Sequence, residues 1–374
     1  MSVQRDDAAQ SAYEQFEDLP MRVGVGQIKE LSDEHLQFAA QVGIEDVLIS
    51  PFDPHDEYDL TLTTGEVWTL EELTALRERV EAAGLRLYGL ETLPYNLYRI
   101  LIDDNPQEKI DVVKESLKNI GRAGIPVQGY SGHPPTGVSR TAPKVLRGGA
   151  KATAFDPELV DEAILEIRGG GEAQALDPEE VGSRVIETDR ELTEEAMWET
   201  YELFLQEVIP VAEEYGVTLG LHPTDPPIEQ IAGVPLLFRN FENHKRAMEL
   251  YPSPNHGIKL GMGCWSEMGE DLVEVIKRFG GENIVYVHYR DVVGTAETGF
   301  YETFIDDPES NFDEYEVMKT LYEEGFTGVM TPDHVPDLPN EKEWPAGGFR
   351  GRAFTIGYLR GMLKAIRSEA GIDD

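Results

Sequence analysis

"EAMWETYELFLQEVIPVAEEYGVTLGLHP", residues 195–223, decides how the rest of the chain is read. Its first part, 195–215, spaces apolar residues as an amphipathic helix does, and Val217–Pro223 is a short apolar run of strand type. A helix feeding directly into a buried strand is half of a repeating α/β unit. This strand does not end as a core strand would. His222 stands at its tip, and the proline-rich turn "PTDPP" follows at once. In a barrel of such units, chemistry collects at the carboxyl ends of the strands.

The same unit recurs along the chain. Strands are predicted at Met21–Ile28, Ile44–Ser50, Leu85–Glu91, Ile125–Ser131, Val217–Pro223, Gly257–Gly263, Ile284–Asp291 and Gly328–His334. Helical periods lie near 32–42, 69–83, 107–122, 195–215, 240–250, 270–279, 313–324 and 350–368. Eight strand–helix units predict an α/β fold, a (β/α)8 TIM barrel forming a single domain over 1–374. A doubly wound open sheet is the competing fold; eight units and no early G-x-G-x-x-G disfavour it. Segment 132–194 is rich in Gly, Pro and charge and too long for a connecting loop. Because it follows the fourth strand, it is expected to lie over the catalytic face as an insertion or lid.

The totals narrow the class. Hydrophobic residues are 40% of the 374, enough for a sizeable core, and no apolar run nears the roughly 20 residues of a membrane helix. The single cysteine, Cys264, rules out an intrachain disulfide framework and suits a reducing compartment. The acidic start "MSVQRDDAAQSAYEQFEDLP" has no apolar signal core, so a soluble cytoplasmic protein is expected. Against 32 basic residues stand 71 acidic ones, a net charge of −39. That excludes a generic nucleic-acid or anionic-membrane surface, which needs clustered Lys and Arg. The acids sit on the outer faces of helices such as "TLEELTALRERVEAA" and "NFDEYEVMKTLYEE". Such distributed acidity suits a salt-rich, halophilic cytoplasm, where self-repulsion is screened; plain acidity is the simpler alternative.

The predicted strand ends present Glu91, Tyr130, His222, the "GMGC" turn to Cys264, His288 and the pair Asp333–His334. Three of the eight histidines occupy strand tips; His35 and His244 read as surface helix residues, and His55, His133 and His256 as loop residues. A lone strand-end histidine is more often structural. Three of them with an aspartate on one barrel mouth point to a metal or acid–base site. Imidazole with carboxylate suits Mn, Fe, Co or Zn in a Lewis-acid role, with His222, His288 and Asp333 as the ligands. Neighbouring strand residues face opposite ways, so His334 is read as a general acid or base beside the ion. Arg290, two residues past His288, can fork onto a substrate carboxylate, with a structural ion pair as the competing reading. For Arg140 and Lys259 the ion pair is the favoured reading. Trp68, in "GEVW", is a pocket wall or a core residue.

"GEVWTLEELTALRERVEAAGLRLYGLETLP", "GGAKATAFD", "IPVAEEYGVTLGLHPTDPP", "SPNHGIKL", "VHYRDV" and "TPDHVP" together resemble the mannonate dehydratases, barrel enzymes of the xylose-isomerase-like group. The resemblance runs from about Met21 to Arg360 with the motifs in order. It implies a hydro-lyase that uses Mn2+ (Fe2+ or Co2+ as alternatives) to convert D-mannonate to 2-keto-3-deoxy-D-gluconate. It also implies that His222, His288 and Asp333 are metal ligands and that His334 is catalytic. The sequence departs from the family at two places. The fourth ligand, a cysteine, is replaced by Gly261; Cys264 stands three residues later, and a water or Glu267 could equally fill the position. A catalytic tyrosine is replaced by Phe349, which has no proton to give. Two functions compete with dehydration: a sugar isomerase or epimerase using the same metal-bound enediolate, and a catalytically weak sugar-acid-binding protein, which these departures suggest. The expected partner is a small-molecule sugar acid, with no nucleic acid or membrane, and the chain is expected to be a homo-oligomer.

Overall fold

The computed structural model describes residues 5–16, 18–28, 31–50, 62–130, 140–159, 165–168, 172–175, 192–231, 233–341, 343–344 and 347–372. The first stave of its barrel is split at Gly24 into β1 (Arg22–Val23) and β2 (Val25–Ile28). The others are β3 (Asp46–Ile49), β4 (Arg86–Leu90), β5 (Val127–Tyr130), β8 (Thr218–Leu221), β9 (His256–Gly261), β10 (Ile284–Tyr289) and β13 (Val329–Pro332). Strands β6 (Ala142–Val145), β7 (Lys151–Phe155), β11 (Asp291–Thr295) and β12 (Gly299–Thr303) lie outside the barrel. Barrel neighbours all pair in parallel; β1 pairs with β13 and β2 with β3, so the two halves of the first stave close the ring. Every residue of β3, β9, β10 and β13 is buried, the near-continuous apolar reading of strands covered on both faces.

The outer helices carry their own start and stop signals. α1 (Asp33–Gln41), α2 (Leu70–Ala82), α3 (Gln107–Arg122), α4 (Glu194–Tyr215) and α5 (Phe241–Leu250) match the helical periods closely. So do α7 (Leu272–Phe279), α8 (Glu314–Glu323) and α9 (Phe349–Glu369). Thr69 and Glu72 form a capping box on α2, a feature worth about 1 kcal/mol. Gly216, at φ 67°, adopts the left-handed conformation that stops α4 and turns the chain into β8. No described helix is long and apolar enough to cross a membrane.

The structure departs from the sequence-based expectation where the chain leaves the barrel. The sixth strand stops at Gly261 and becomes a short buried helix, α6 (Met262–Glu267). After β10 the chain turns back as the β11–β12 hairpin, which joins β7 and β6 in a four-stranded antiparallel sheet. Part of the expected insertion therefore packs beside the seventh stave, with Phe155 and Phe300 stacked at 5.4 Å between ring centroids.

Three histidines sit elsewhere than expected. His35 and His244, expected at the surface, are buried, and His256, expected in a loop, begins β9. The physical reason is that a neutral imidazole packs like a small aromatic. Burial lowers His244 and His256 to about 4, and the His244 ring lies 4.5 Å from that of Trp265. Trp68 is a core residue, fully buried, with Nε1 donating to the Thr63 carbonyl. His55, His133 and much of 132–194 lie outside the described residues.

Candidate active site at the barrel mouth

Four strand ends build one cluster. Glu91 follows β4, His222 follows β8, His288 belongs to β10 and Asp333 follows β13, and all four are buried. His288 Nε2 lies 2.5 Å from Glu91 Oε1 and donates to it; in the neutral ring Nδ1 then carries the lone pair. That Nδ1 has no hydrogen-bond partner among the described residues, yet it stands 3.0 Å from Asp333 Oδ1. A lone pair facing a carboxylate oxygen is repulsive unless a cation or an extra proton lies between them.

The surroundings lock this arrangement. Glu91 Oε2 accepts from the Ser50 hydroxyl (2.5 Å) and from the backbone N–H of Gln27 (2.6 Å), and Lys259 Nζ is 3.5 Å from Oε1. Burial alone would raise the Glu91 carboxyl, but Lys259 and His288 outweigh it and hold the group well below its ordinary range. Asp333 behaves likewise: burial raises it, and His334, His288 and Arg290 together bring it well below. The Gln27 side chain donates to Asp333 Oδ1 and accepts from Arg352 at 2.9 Å. Gln27 has φ 56°, a left-handed backbone costing about 1–3 kcal/mol in a non-glycine residue, so the neighbouring contacts must hold it there.

His222 donates from Nδ1 to the Pro223 carbonyl at 2.7 Å, which makes Nε2 its basic nitrogen. Its ring centroid is 5.7 Å from that of His288. A Cβ placed on Gly261 would lie 2.9 Å from His222 Nε2 and 3.5 Å from Cys264 Sγ. Cys264 therefore brings its thiol beside the spot where a side chain at position 261 would begin.

A second cluster shares the mouth. Arg140 contacts Asp225 (2.5 and 2.9 Å) and Glu302 (2.6 Å). Arg290 contacts Asp225 and Glu302 at 3.0 Å each, Glu267 at 2.8 Å and Cys264 Sγ at 3.2 Å. Burial and Asp225 push Glu267 up to about 8 against the pull of Arg290 and Arg140, which favours its neutral form. Two guanidiniums then face two carboxylates, Asp225 and Glu302, and the charges balance. Among the described residues, one group of three potential ligands has all its donor atoms within 4.8 Å: Asp225, Cys264 and Glu267. Arg290 already donates to each of them. His222 stands outside that spacing from the His288–Asp333 pair.

The remaining expected residues fall around these clusters. Asp333 Oδ1 approaches His288, while His334 Nδ1 lies 2.7 Å from Glu302 Oε1 and its Nε2 stays 3.9 Å from Asp333 Oδ1. His334 is the most open of the set, its side chain 28% exposed. Both terminal nitrogens of Arg290 are engaged with the chain's own groups, its Nη1 also 3.2 Å from His334 Nδ1. Arg140 and Lys259 form ion pairs, as favoured. Tyr130 bonds to Tyr201 (2.8 Å) and His256 (2.5 Å) within the core. The Phe349 ring packs on Phe38 (4.9 Å) and His35 (5.1 Å) of α1. Gln27, Asp225 and Glu302 are not singled out by sequence reasoning. Asp225 is in plain view within "HPTDPP", but Glu302 arrives from a hairpin with no sequence period to mark it.

The sequence profile described as D-mannonate dehydratase (UxuA) matches residues 35–372. The mannonate dehydratase of Thermotoga neapolitana is 34% identical over 337 residues, covering 87% of this chain and 91% of that protein. The mannonate dehydratase of Enterococcus faecalis is 31% identical over 321 residues, 82% of this chain and 88% of that one. The crystal structure of mannonate dehydratase from Streptococcus suis serotype 2 superposes with a TM-score of 0.78 at 26% identity, covering 95% and 96% of the two chains.

Proposed function

The chain belongs to the D-mannonate dehydratase family, and we propose on that footing that it converts D-mannonate to 2-keto-3-deoxy-D-gluconate and water, using a divalent ion held by His222, His288, Asp333 and Cys264. The observation that carries the metal site is the lone pair of His288 Nδ1 facing Asp333 Oδ1 at 3.0 Å with no described donor between them. The Asp333 carboxylate suits Mn2+, the ion we propose, while the two imidazoles and the softer Cys264 thiol also admit Fe2+ or Co2+. The bound ion would supply Lewis acidity toward the carboxylate and 2-hydroxyl of the sugar acid.

The side chains do the rest. Glu91, through Nε2, fixes the ring of His288 so that its Nδ1 keeps one direction. Gln27 does the same for Asp333. Dehydration removes the C2 proton, breaks the C3–O bond and returns a proton to the departing hydroxyl, after which the enol tautomerises to the 2-keto acid. His334 is the proton donor in this reading: Glu302 holds its Nδ1, which leaves Nε2 to exchange a proton with the C3 hydroxyl. Arg290 acts as a positioning residue through Asp333 (3.5 Å) and His334 (3.2 Å). The described strands β6 and β7 of the insertion border this mouth in this reading, and the pairing of β7 with β12, the strand that bears Glu302, supports that placement.

Incubation with Mn2+ and D-mannonate, alongside other aldonic acids, should yield a 2-keto-3-deoxy acid detected as its absorbing semicarbazone. An epimer as the product, or binding without turnover, would overturn the reading. The charge of −39 and the single buried thiol support a reducing, salt-rich cytoplasm, and we take the working form to be a homo-oligomer. The melting temperature should then rise from millimolar to molar KCl; no change would remove the salt adaptation.

A further inference from the structure

Outside the two clusters of the mouth, a further pair of carboxyl groups meets where the β11–β12 hairpin touches the start of α8. Asp291 is the first residue of β11 and Glu314 the first of α8. Asp291 is 2% exposed, Glu314 is half-buried, and their carboxyl groups lie within hydrogen-bonding reach of each other. Segment 304–313 is held against the hairpin, with the Asn311 N–H donating to the Val292 carbonyl at 3.1 Å. Thr303, opposite Asp291 across the hairpin, donates to Asp307 Oδ2 at 2.5 Å, so this face of the hairpin looks into the segment.

The pair is short of positive charge. Burial, Glu314, Asp307 and Asp306 all raise Asp291 well above the usual carboxylate range. The guanidinium of Arg147 is taken by Asp306. The helix dipole offers Glu314 a partial positive charge, but Asp291 comes from a strand. Four buried atoms have no hydrogen-bond partner among the described residues: both oxygens of Asp291, Glu314 Oε1 and Ser310 Oγ. One shared proton links Asp291 to Glu314 at most once, and the Ser310 hydroxyl can donate to Glu314. One Asp291 oxygen is then still buried and unpaired, which native structures avoid. A cation meets all four oxygens at once.

We propose that Asp291, Glu314 and Ser310 bind a hard divalent cation, Mg2+ or Ca2+, at a site separate from the metal of the mouth. The donors are all oxygens, the set that such ions take, whereas the mouth offers imidazole and thiol. Among the described residues no third carboxylate, imidazole or thiol joins the pair within 4.8 Å, so water fills the remaining positions, as it commonly does around Mg2+. The ion clips the first turn of α8 to the hairpin that bears Glu302.

Calorimetric titration of Mg2+, and separately of Ca2+, into the chelator-stripped full chain at fixed KCl tests this. The expected result is a saturable event that His222→Ala retains and that Asp291→Asn and Glu314→Gln each weaken more than about tenfold. Both substitutions keep the side-chain shape while removing the charge, and circular dichroism checks that the variants fold. Glu314 is half-buried, so its variant keeps the test decisive if Asp291→Asn does not fold. Tighter binding of Mg2+ assigns a compact site completed by water, and tighter binding of Ca2+ a wider one. An event lost in His222→Ala and unchanged in Glu314→Gln belongs to the mouth and overturns the proposal. So does the absence of any saturable event in the parent chain, which leaves the pair to a shared proton.

Discussion

Two clusters of buried polar side chains share the mouth of the barrel, and they differ in what each leaves unpaired. Arg140, Arg290, Asp225, Glu267 and Glu302 neutralise one another, and the guanidinium of Arg290 fills the space among Asp225, Cys264 and Glu267. In the Glu91–His288–Asp333 cluster a lone pair faces a carboxylate oxygen at 3.0 Å, with no described donor between them. Ligand atoms lie closest together in the first cluster, where a cation is already present as arginine. In the second, the two atoms of the His288–Asp333 contact share no hydrogen bond, and the nearest cations, Lys259 and Arg290, stand 3.5 Å from its carboxylates. Proximity of donors alone is therefore a poor guide to a metal site; unmet lone pairs are the better one.

The largest effect should come from the second cluster. Replacing His222 with Ala should abolish stoichiometric Mn2+ retention and bring turnover to background. The stability of the metal-free protein should change far less than its metal content, because the His222 ring donates to the carbonyl of the adjacent Pro223, a local contact. Metal analysis after gel filtration reads this, and retention equal to the parent would refute the ligand assignment. The neutralised cluster should respond the other way. Arg140→Leu strands Asp225 and Glu302, and breaking a buried pair typically costs about 3–5 kcal/mol. Denaturant unfolding should show that loss while the metal content per folded chain is unchanged. Metal loss in Arg140→Leu would mean that the two clusters are a single unit.

Glu267 sharpens the same contrast through pH. Burial and Asp225 push its carboxyl up from 4.5 to about 8 in the folded chain, so between those values the folded state keeps a proton that the unfolded state has lost. Stability therefore falls as pH rises from 4.5 to about 8 on account of this group. Glu267→Gln removes that dependence. It should match the parent near pH 4.5 and exceed it near pH 8 by up to a few kcal/mol, since each pKa unit corresponds to about 1.4 kcal/mol. A variant less stable than the parent at pH 8 would show that Glu267 is ionised and is part of the counter-charge for Arg290.

How much of this is legible in the sequence follows from the range of the interactions. The eight staves and their helices announce themselves through local periodicity, and His222, His288, Asp333 and His334 stand at strand ends that the periodicity locates. His35 and His244 defy the pattern because a helical period says which face is apolar, not whether a neutral imidazole is packed there. Glu302 and Gln27 escape it because their roles depend on contacts across many residues: Glu302 reaches back to Arg140, and Gln27 reaches forward to Asp333. Arg290 is visible as a residue, but its four carboxylate partners come from separate segments, so its ion-pair role is not decidable from spacing.

The smallest effect is expected at Phe349, where the family's tyrosine is absent. If a hydroxyl at this position joined the proton transfer, Phe349→Tyr would raise turnover by the factor of about 10²–10⁴ that general acid–base help supplies. The geometry argues against so large a gain. The ring packs against Phe38 and His35 of α1, at 4.9 and 5.1 Å, and this aromatic contact ties the start of α9 to the outer layer. A para-hydroxyl added there enters a packed aromatic contact, while His334 keeps its own carboxylate, Glu302, at 2.7 Å. Phe349→Tyr should therefore change turnover by less than about tenfold, well below the range of a second acid. Its stability cost should be at most about 1–3 kcal/mol, that of an overpacked site. His334→Asn in the same background should still remove nearly all turnover while leaving metal content intact. A gain of about a hundredfold in Phe349→Tyr would show that residue 349 reaches the mouth during turnover and that His334 shares the proton transfer.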